Sequence, residues 1–237
     1  MHKSKTKKIL IVCPFPHGEA AGQRLKYEQF INHWEENGYE VEISSFMDYQ
    51  MWKVVYTKRN YLQKFLGTMR GYIRRIKDIF RIKGFDVIYV FMWVTPFGTS
   101  LFERIFRSIS TNLIYDIEDN VTMTQSSSLN SLIKVFKGSG KIKFLIKESD
   151  HVITSSPFLN SDCLELNKKQ SATFISDAMD INRYIPINSY TNNETIVIGW
   201  TGTFSSVMYL DLLRNVFLEL NNRIKFKLRV IGNFEYD

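Results

Sequence analysis

Cysteine is scarce: Cys13 and Cys163 are the two in a chain of 237 residues. They supply neither a disulfide framework nor the spacing of a metal site. Both sit in apolar segments, which predicts buried thiols in a reducing compartment. Long hydrophobic runs are also missing, and no window approaches the about 20 apolar residues that a membrane-crossing helix needs. The basic start, Met1 to Lys8, resembles the charged end of a secretion signal. The apolar run after it, however, stops at prolines and lacks a small-residue cleavage site, so it predicts a first strand. There is no internal repeat of solenoid length, no low-complexity tract and no recognised nucleic-acid motif. A soluble, cytoplasmic protein is expected. Acids are short in one place only. Residues 51–84 hold ten cations against a single acid, Asp78, a net +9 in a chain of net +7, so the remainder carries −2. The basicity is local and calls for a local explanation.

What is present suits a folded core: hydrophobic residues make up 44% and aromatics 14%, enough to exclude disorder. The length fits one large domain or one and a half ordinary ones. Residues 8–13 form a continuous apolar run of the kind parallel sheets bury. A loop with Gly18 and Gly22 follows, then Tyr27, Phe30, Ile31 and Trp34 at helical spacing, then Gly38 as a stop. Strands are predicted over 40–46, 85–93, 112–117, 150–155 and 172–175, and helices over 97–107, 129–148 (in two pieces) and 158–166. Between the second and third strands, Leu62, Phe65, Leu66, Met69, Tyr72, Ile73, Ile76, Ile79 and Phe80 make a long helical stripe, expected to pack on the sheet with the cations on the remaining faces. The alternation predicts an α/β fold with a doubly wound, mostly parallel, Rossmann-like sheet over residues 1–185. A linker is expected at 186–195. A second, incomplete βαβ unit is expected over 196–237, the start of a domain that is mostly absent.

That second start, Thr195-Ile-Val-Ile-Gly-Trp-Thr-Gly-Thr-Phe-Ser-Ser206, runs a buried-type strand through a glycine loop into a helical pattern. Gly202 and Thr203 offer backbone amides to a diphosphate, or they form an ordinary strand-to-helix turn. In the first loop, Gly22 permits close approach of a ligand and Arg24 can pair with a phosphate, with solvation as its other reading. His17, Gly18 and Gln23 share that loop and are candidates for the acceptor side. Asp116, Glu118 and Asp119 cluster at a strand's carboxyl end. They can supply a general base, hold a divalent metal, or form a solvated acidic loop. On the basic helix, Arg70, Arg74, Arg75 and Lys77 suit an anionic membrane surface or are solvated cations.

The residues also resemble a family. Lys8-Ile-Leu-Ile-Val-Cys-Pro-Phe-Pro, Gly22-Gln-Arg24, Phe85-Asp-Val-Ile-Tyr-Val, Val152-Ile-Thr-Ser-Ser156 and Ile198-Gly-Trp-Thr-Gly-Thr, in that order, look like GT-B glycosyltransferases of the family 4 type. The resemblance implies an acceptor-side domain and the first βαβ of a donor domain. It implies transfer of a sugar, with retention, from a nucleotide-sugar to a glycan or lipid-linked acceptor in bacterial-type polysaccharide biosynthesis. The nucleotide-sugar is then a co-substrate, and neither a cofactor nor a metal is expected, so the 116–119 acids are assigned a base or acceptor-positioning role. The chain departs from the family's pattern where Glu118 stands in place of a histidine and Ser176-Asp-Ala178 in place of Pro-Asn-Gly. A non-catalytic α/β module docking on anionic membrane or a partner protein is the alternative, and a metal-dependent transferase is a third.

Overall fold

A computed structural model describes residues 6–118, 139–179, 181, 195–202 and 206–232. The chain divides into two compact units, Met1–Asp180 and Ile181–Asp237. The first is built on a six-stranded parallel sheet in the order β2-β1-β3-β4-β5-β6. Its strands are β1 (Lys7–Cys13), β2 (Tyr39–Ser45), β3 (Val87–Phe91), β4 (Leu113–Ile117), β5 (His151–Thr154) and β6 (Ala172–Phe174). Each lies within two or three residues of where the apolar runs place it. The order reverses at β1, so a topological switch point falls between β1 and β3.

Both faces of the sheet are apolar, because a parallel sheet is covered on both sides. On one face Ile9, Ile11, Tyr89 and Phe91 pack with Tyr27 of the first helical segment, and with Ile31 and Trp34. That segment is α1 (Ala21–Lys26), a short 3-10 turn, and α2 (Ile31–Glu36). On the other face Leu10, Val12, Ile88, Val90, Leu113, Tyr115 and Val152 meet Phe106, Leu145, Ile146, Leu159 and Cys163. These come from α5 (Leu101–Ile109), α6 (Ser139–Glu148) and α7 (Pro157–Leu166), which follow α3 (Tyr49–Val55) and α4 (Tyr61–Arg81) in the chain. Helix α7 starts as its sequence dictates, with the Ser156 hydroxyl accepting from the Leu159 N–H and proline in the first turn.

Helix α3 has no counterpart among the sequence expectations. Its N-cap is Asp48, whose carboxylate accepts from the Met51 N–H. Helix α4 overturns an expectation outright. Most of its apolar stripe does not pack on the sheet: Leu62 is 70% exposed and Phe80 83%, with Phe65, Leu66, Met69, Ile73 and Ile76 also open, while Tyr72 and Ile79 are half-buried against the core. The buried residues of this helix are Gly67, Gly71, Arg75 and Asp78. The reason is close approach. A Cβ on Gly67 would stand 2.8 Å from the Met51 side chain, and one on Gly71 2.6 Å from the Phe46 ring and 2.8 Å from its carbonyl oxygen. The two glycines, one turn apart, let the helix backbone lie on Phe46 and Met51, which no bulkier side permits.

The second unit is described by itself. β7 (Ile196–Thr201) pairs in parallel with β8 (Phe226–Ile231), and α8 (Val207–Asp211) and α9 (Arg214–Asn221) connect them. The helical pattern after the glycine loop is therefore two short helices. The expected linker and the first piece of the 129–148 helix lie almost wholly outside the described residues.

Candidate active site at the carboxyl rim of the first sheet

The loop after β1 is fastened from within. The Phe15 N–H donates to Gln23 Oε1 at 2.9 Å, and Gln23 Nε2 donates back to the Phe15 carbonyl at 3.0 Å and to Glu28 Oε1 at 3.1 Å. Glu28 Oε2 also accepts from the Gly18 N–H at 2.9 Å, and Gly18 takes φ +81°, a value suited to glycine. Gln23 is fully buried. It is thus a clasp of this loop rather than the acceptor contact expected of it. His17 remains at the surface, its Nδ1 3.5 Å from Glu28 Oε1 and its carbonyl accepting from the Tyr49 hydroxyl. It borders an open cavity of about 580 Å³ that Ser44, Ser45, Arg74, Lys77 and Arg81 also line.

From this loop α1 runs toward the ends of β4, β5 and β6. Lys26, buried, donates to the Ile175 carbonyl at 2.9 Å and stands 3.5 Å from Asp116 Oδ1, an ion-pair separation rather than a tight hydrogen bond. Asp116 Oδ2 accepts from the Tyr89 hydroxyl. Burial pushes the Asp116 carboxyl up from its ordinary range, against the pull of Lys26 and Tyr89, and burial likewise holds the Tyr89 phenol protonated. Asp116 is 1% exposed, so it cannot reach an acceptor hydroxyl. This corrects its catalytic assignment: it is an internal anchor for α1. Lys26 is the residue that sequence reasoning missed, since a lysine on an amphipathic helix reads as solvated and nothing nearby signals its burial.

Glu118 occupies the rim itself. Its backbone carbonyl accepts from the Ser155 hydroxyl, tying the ends of β4 and β5. Its carboxylate lies against Gly22, where an added Cβ would meet Oε2 at 2.6 Å and Oε1 at 2.9 Å. Two parts predicted separately, the glycine of the first loop and the acid after the fourth strand, therefore meet in space. Two residues along, about half a turn round α1 from Gly22, is Arg24, exposed and without a partner among the described residues. Asp119, the remaining acid of the expected trio, lies outside the described residues. Among the described residues no cluster of three or more His, Cys, Asp or Glu gathers.

The other candidates are placed differently. Arg75 is 0% exposed, which corrects the reading of it as a membrane-facing cation. Its guanidinium donates to the carbonyls of Cys13, Ser44 and Val94 at 2.9, 3.0 and 2.7 Å and pairs with Asp78 at 3.0 Å. It joins the chain ends of β1 and β2 to the segment after β3, beneath the switch point. Arg70 is exposed but paired with Asp48 at 2.7 Å. Arg74 donates to the carbonyls of Ser45 and Phe46. Lys77 is exposed with no partner among the described residues. In the second unit the Gly202 N–H is already given to the Ile231 carbonyl at 3.1 Å. A Cβ there would stand 2.3 Å from the Trp200 ring. That amide is not open to a diphosphate, and Gly202 is required by the packing of Trp200. Thr203 lies outside the described residues.

Compared with solved structures, the chain resembles the sucrose-phosphate synthase of Thermosynechococcus elongatus at 11% identity and TM-score 0.58, over 98% of this chain and 71% of that one. The fold is of the GT-B type. Other likenesses are more distant. HepE of Anabaena, in complex with UDP and glucose, has 14% identity and TM-score 0.47, over 96% of this chain and 70% of that one. An alpha-glucosyltransferase in complex with UDP-glucose and DNA containing an abasic site has 10% identity and TM-score 0.49, over 94% and 68%. No family model matches the chain, and no curated protein does. In GT-B terms, the rim with Gly22 and Glu118 belongs to the first Rossmann-like unit.

Proposed function

We propose that the protein is a glycosyltransferase that moves a sugar from a nucleotide-sugar to a hydroxyl of a glycan or lipid-linked acceptor. The setting assigned to it is polysaccharide biosynthesis of the bacterial type, at the cytoplasmic face of the membrane. The observation that carries this reading is the seating of the Glu118 carboxylate on Gly22 at the carboxyl rim of a GT-B sheet, where open α/β sheets place their ligands. The family 4 resemblance of the sequence motifs supports the same assignment.

In this reading Glu118 accepts the proton of the acceptor hydroxyl, or positions that hydroxyl on the face of the sugar from which the diphosphate leaves, as the retention that the resemblance implies requires. The acceptor oxygen forms the new bond to the anomeric carbon, and the electrons of the broken bond leave with the nucleotide diphosphate. Arg24, exposed on α1, is the cation assigned to the charge that develops there. The reading gives that task to a side chain of the chain rather than to a metal. His17 and Gly18 border the acceptor side.

The test is nucleotide release from a panel of nucleotide-sugars by the wild type and by Glu118→Gln. A general base contributes on the order of 10² to 10⁴ in rate. Release is expected to fall at least about a hundredfold in the variant, with an unchanged melting midpoint. Equal release by both proteins would remove Glu118 from the mechanism.

A further inference from the structure

Among the described residues, the outward face of α4 has no partner in the unit that carries it. Leu62, Phe65, Met69, Ile73, Ile76 and Phe80 recur at helical spacing and are all exposed. Their orientation is fixed, because the opposite face is held by Gly67, Gly71 and the buried Arg75–Asp78 pair. A 21-residue helix is about 30 Å long. That is an unusually large apolar stripe for a protein surface, and such stripes mark interaction sites.

Its flank identifies the partner. Arg70, Arg74 and Lys77 line a small open cavity of about 220 Å³ beside Ile73. Lys53 and Arg70 line another, of about 480 Å³, beside Leu66. Arg70 is paired with Asp48 and Arg74 with two carbonyls, so of these the exposed cations open to headgroups beside the apolar stripe are Lys77 and Lys53. A helix of this kind lies in the plane of an anionic bilayer, its apolar face among the acyl chains and its cations on the headgroup phosphates. A second copy of the chain fits less well, since pairing two such faces brings like charges together. Among the described residues no helix is long and apolar enough to cross a membrane, so any attachment through α4 is to one leaflet.

We infer that α4 docks the protein on an anionic lipid surface through this stripe. The inference gives the proposed lipid-linked acceptor its location, and so rests on that reading for its purpose, though the binding itself needs no catalysis. Flotation with phosphatidylcholine vesicles, with and without phosphatidylglycerol, tests it. Wild type is expected to float with the anionic vesicles and to be released by high salt. Ile73→Glu/Phe80→Glu, whose sites face solvent, is expected to keep its melting midpoint and to lose at least about tenfold in partitioning. Lys77→Glu, which touches no apolar contact, is expected to lose about fivefold on anionic vesicles only. Equal flotation of all three proteins overturns the inference, as does failure of wild type to float. A dimer by size exclusion that the double variant dissolves overturns it in favour of a second copy. Nucleotide release on a soluble acceptor is measured in parallel. If flotation holds and release is absent, docking stands and the transferase reading falls.

Discussion

Arg75 carries its charge where water does not reach, and its environment accounts for it. Three backbone carbonyls and Asp78 accept its hydrogen bonds. Burial lowers its pKa against the support of Asp78. Removing one member of a buried pair leaves the other uncompensated, typically at about 3–5 kcal/mol. Arg75→Met is therefore expected to lower the denaturant midpoint sharply, whereas Lys77→Met, two residues on and in solvent, leaves it unchanged. Similar loss in both would show that Arg75 is not the strut described. Gly22 poses the opposite case. The atoms an alanine would meet there belong to the movable end of Glu118, so Gly22→Ala is expected to leave the melting midpoint nearly unchanged while displacing the carboxylate and reducing transfer about tenfold or more. At Gly71 the obstacle includes the Phe46 backbone carbonyl, which cannot step aside. Gly71→Ala is expected to destabilise by about 1–3 kcal/mol despite alanine's better helix propensity, as a urea titration would show.

At the scale of elements, strands were the most legible part of the chain. Runs such as residues 8–13 are apolar on both faces, and a parallel sheet covered on two sides demands that pattern. Helix α4 was legible in extent but not in orientation. Its apolar stripe reads as the core face, because burial of apolar area usually decides a helix's rotation. Here glycine packing and one buried ion pair decide it instead. Gly67 and Gly71, spaced one turn apart inside a helical pattern, were the signal available. The rim was half legible: Gly22 and Glu118 stood out singly, but their meeting depends on how α1 crosses the sheet, which Lys26 and Asp116 set from within. The β4–β5 edge offers a test of pH dependence. Burial alone raises the Asp150 carboxyl, but the Lys169 hydrogen bond, the Leu113 N–H and Arg107 outweigh it and hold it below the usual carboxylate range. A lowered folded pKa gives stability that is complete above the unfolded value, about 3.9, and fades as pH falls through the folded one. Asp150→Asn is expected to be less stable than wild type at neutral pH by about 2 kcal/mol of unfolding free energy, with the gap closing in acid. A gap independent of pH would contradict the assignment.

At the scale of the whole molecule, two parallel α/β units follow one another in one chain. The first carries the closed core, the fastened loop and the acid on its rim. The second presents a parallel pair of strands after which the Gly202 amide is taken by the Ile231 carbonyl. The proposed chemistry of the described residues therefore lies on the first unit, with Glu118 at its centre. That claim is tested most directly by measuring nucleotide diphosphate release from nucleotide-sugars, with acceptor present and absent, by wild type and Glu118→Gln side by side. The account predicts acceptor-dependent release with at least one donor, reduced at least about a hundredfold in the variant. Release unaffected by the substitution, or none from any donor, would contradict it.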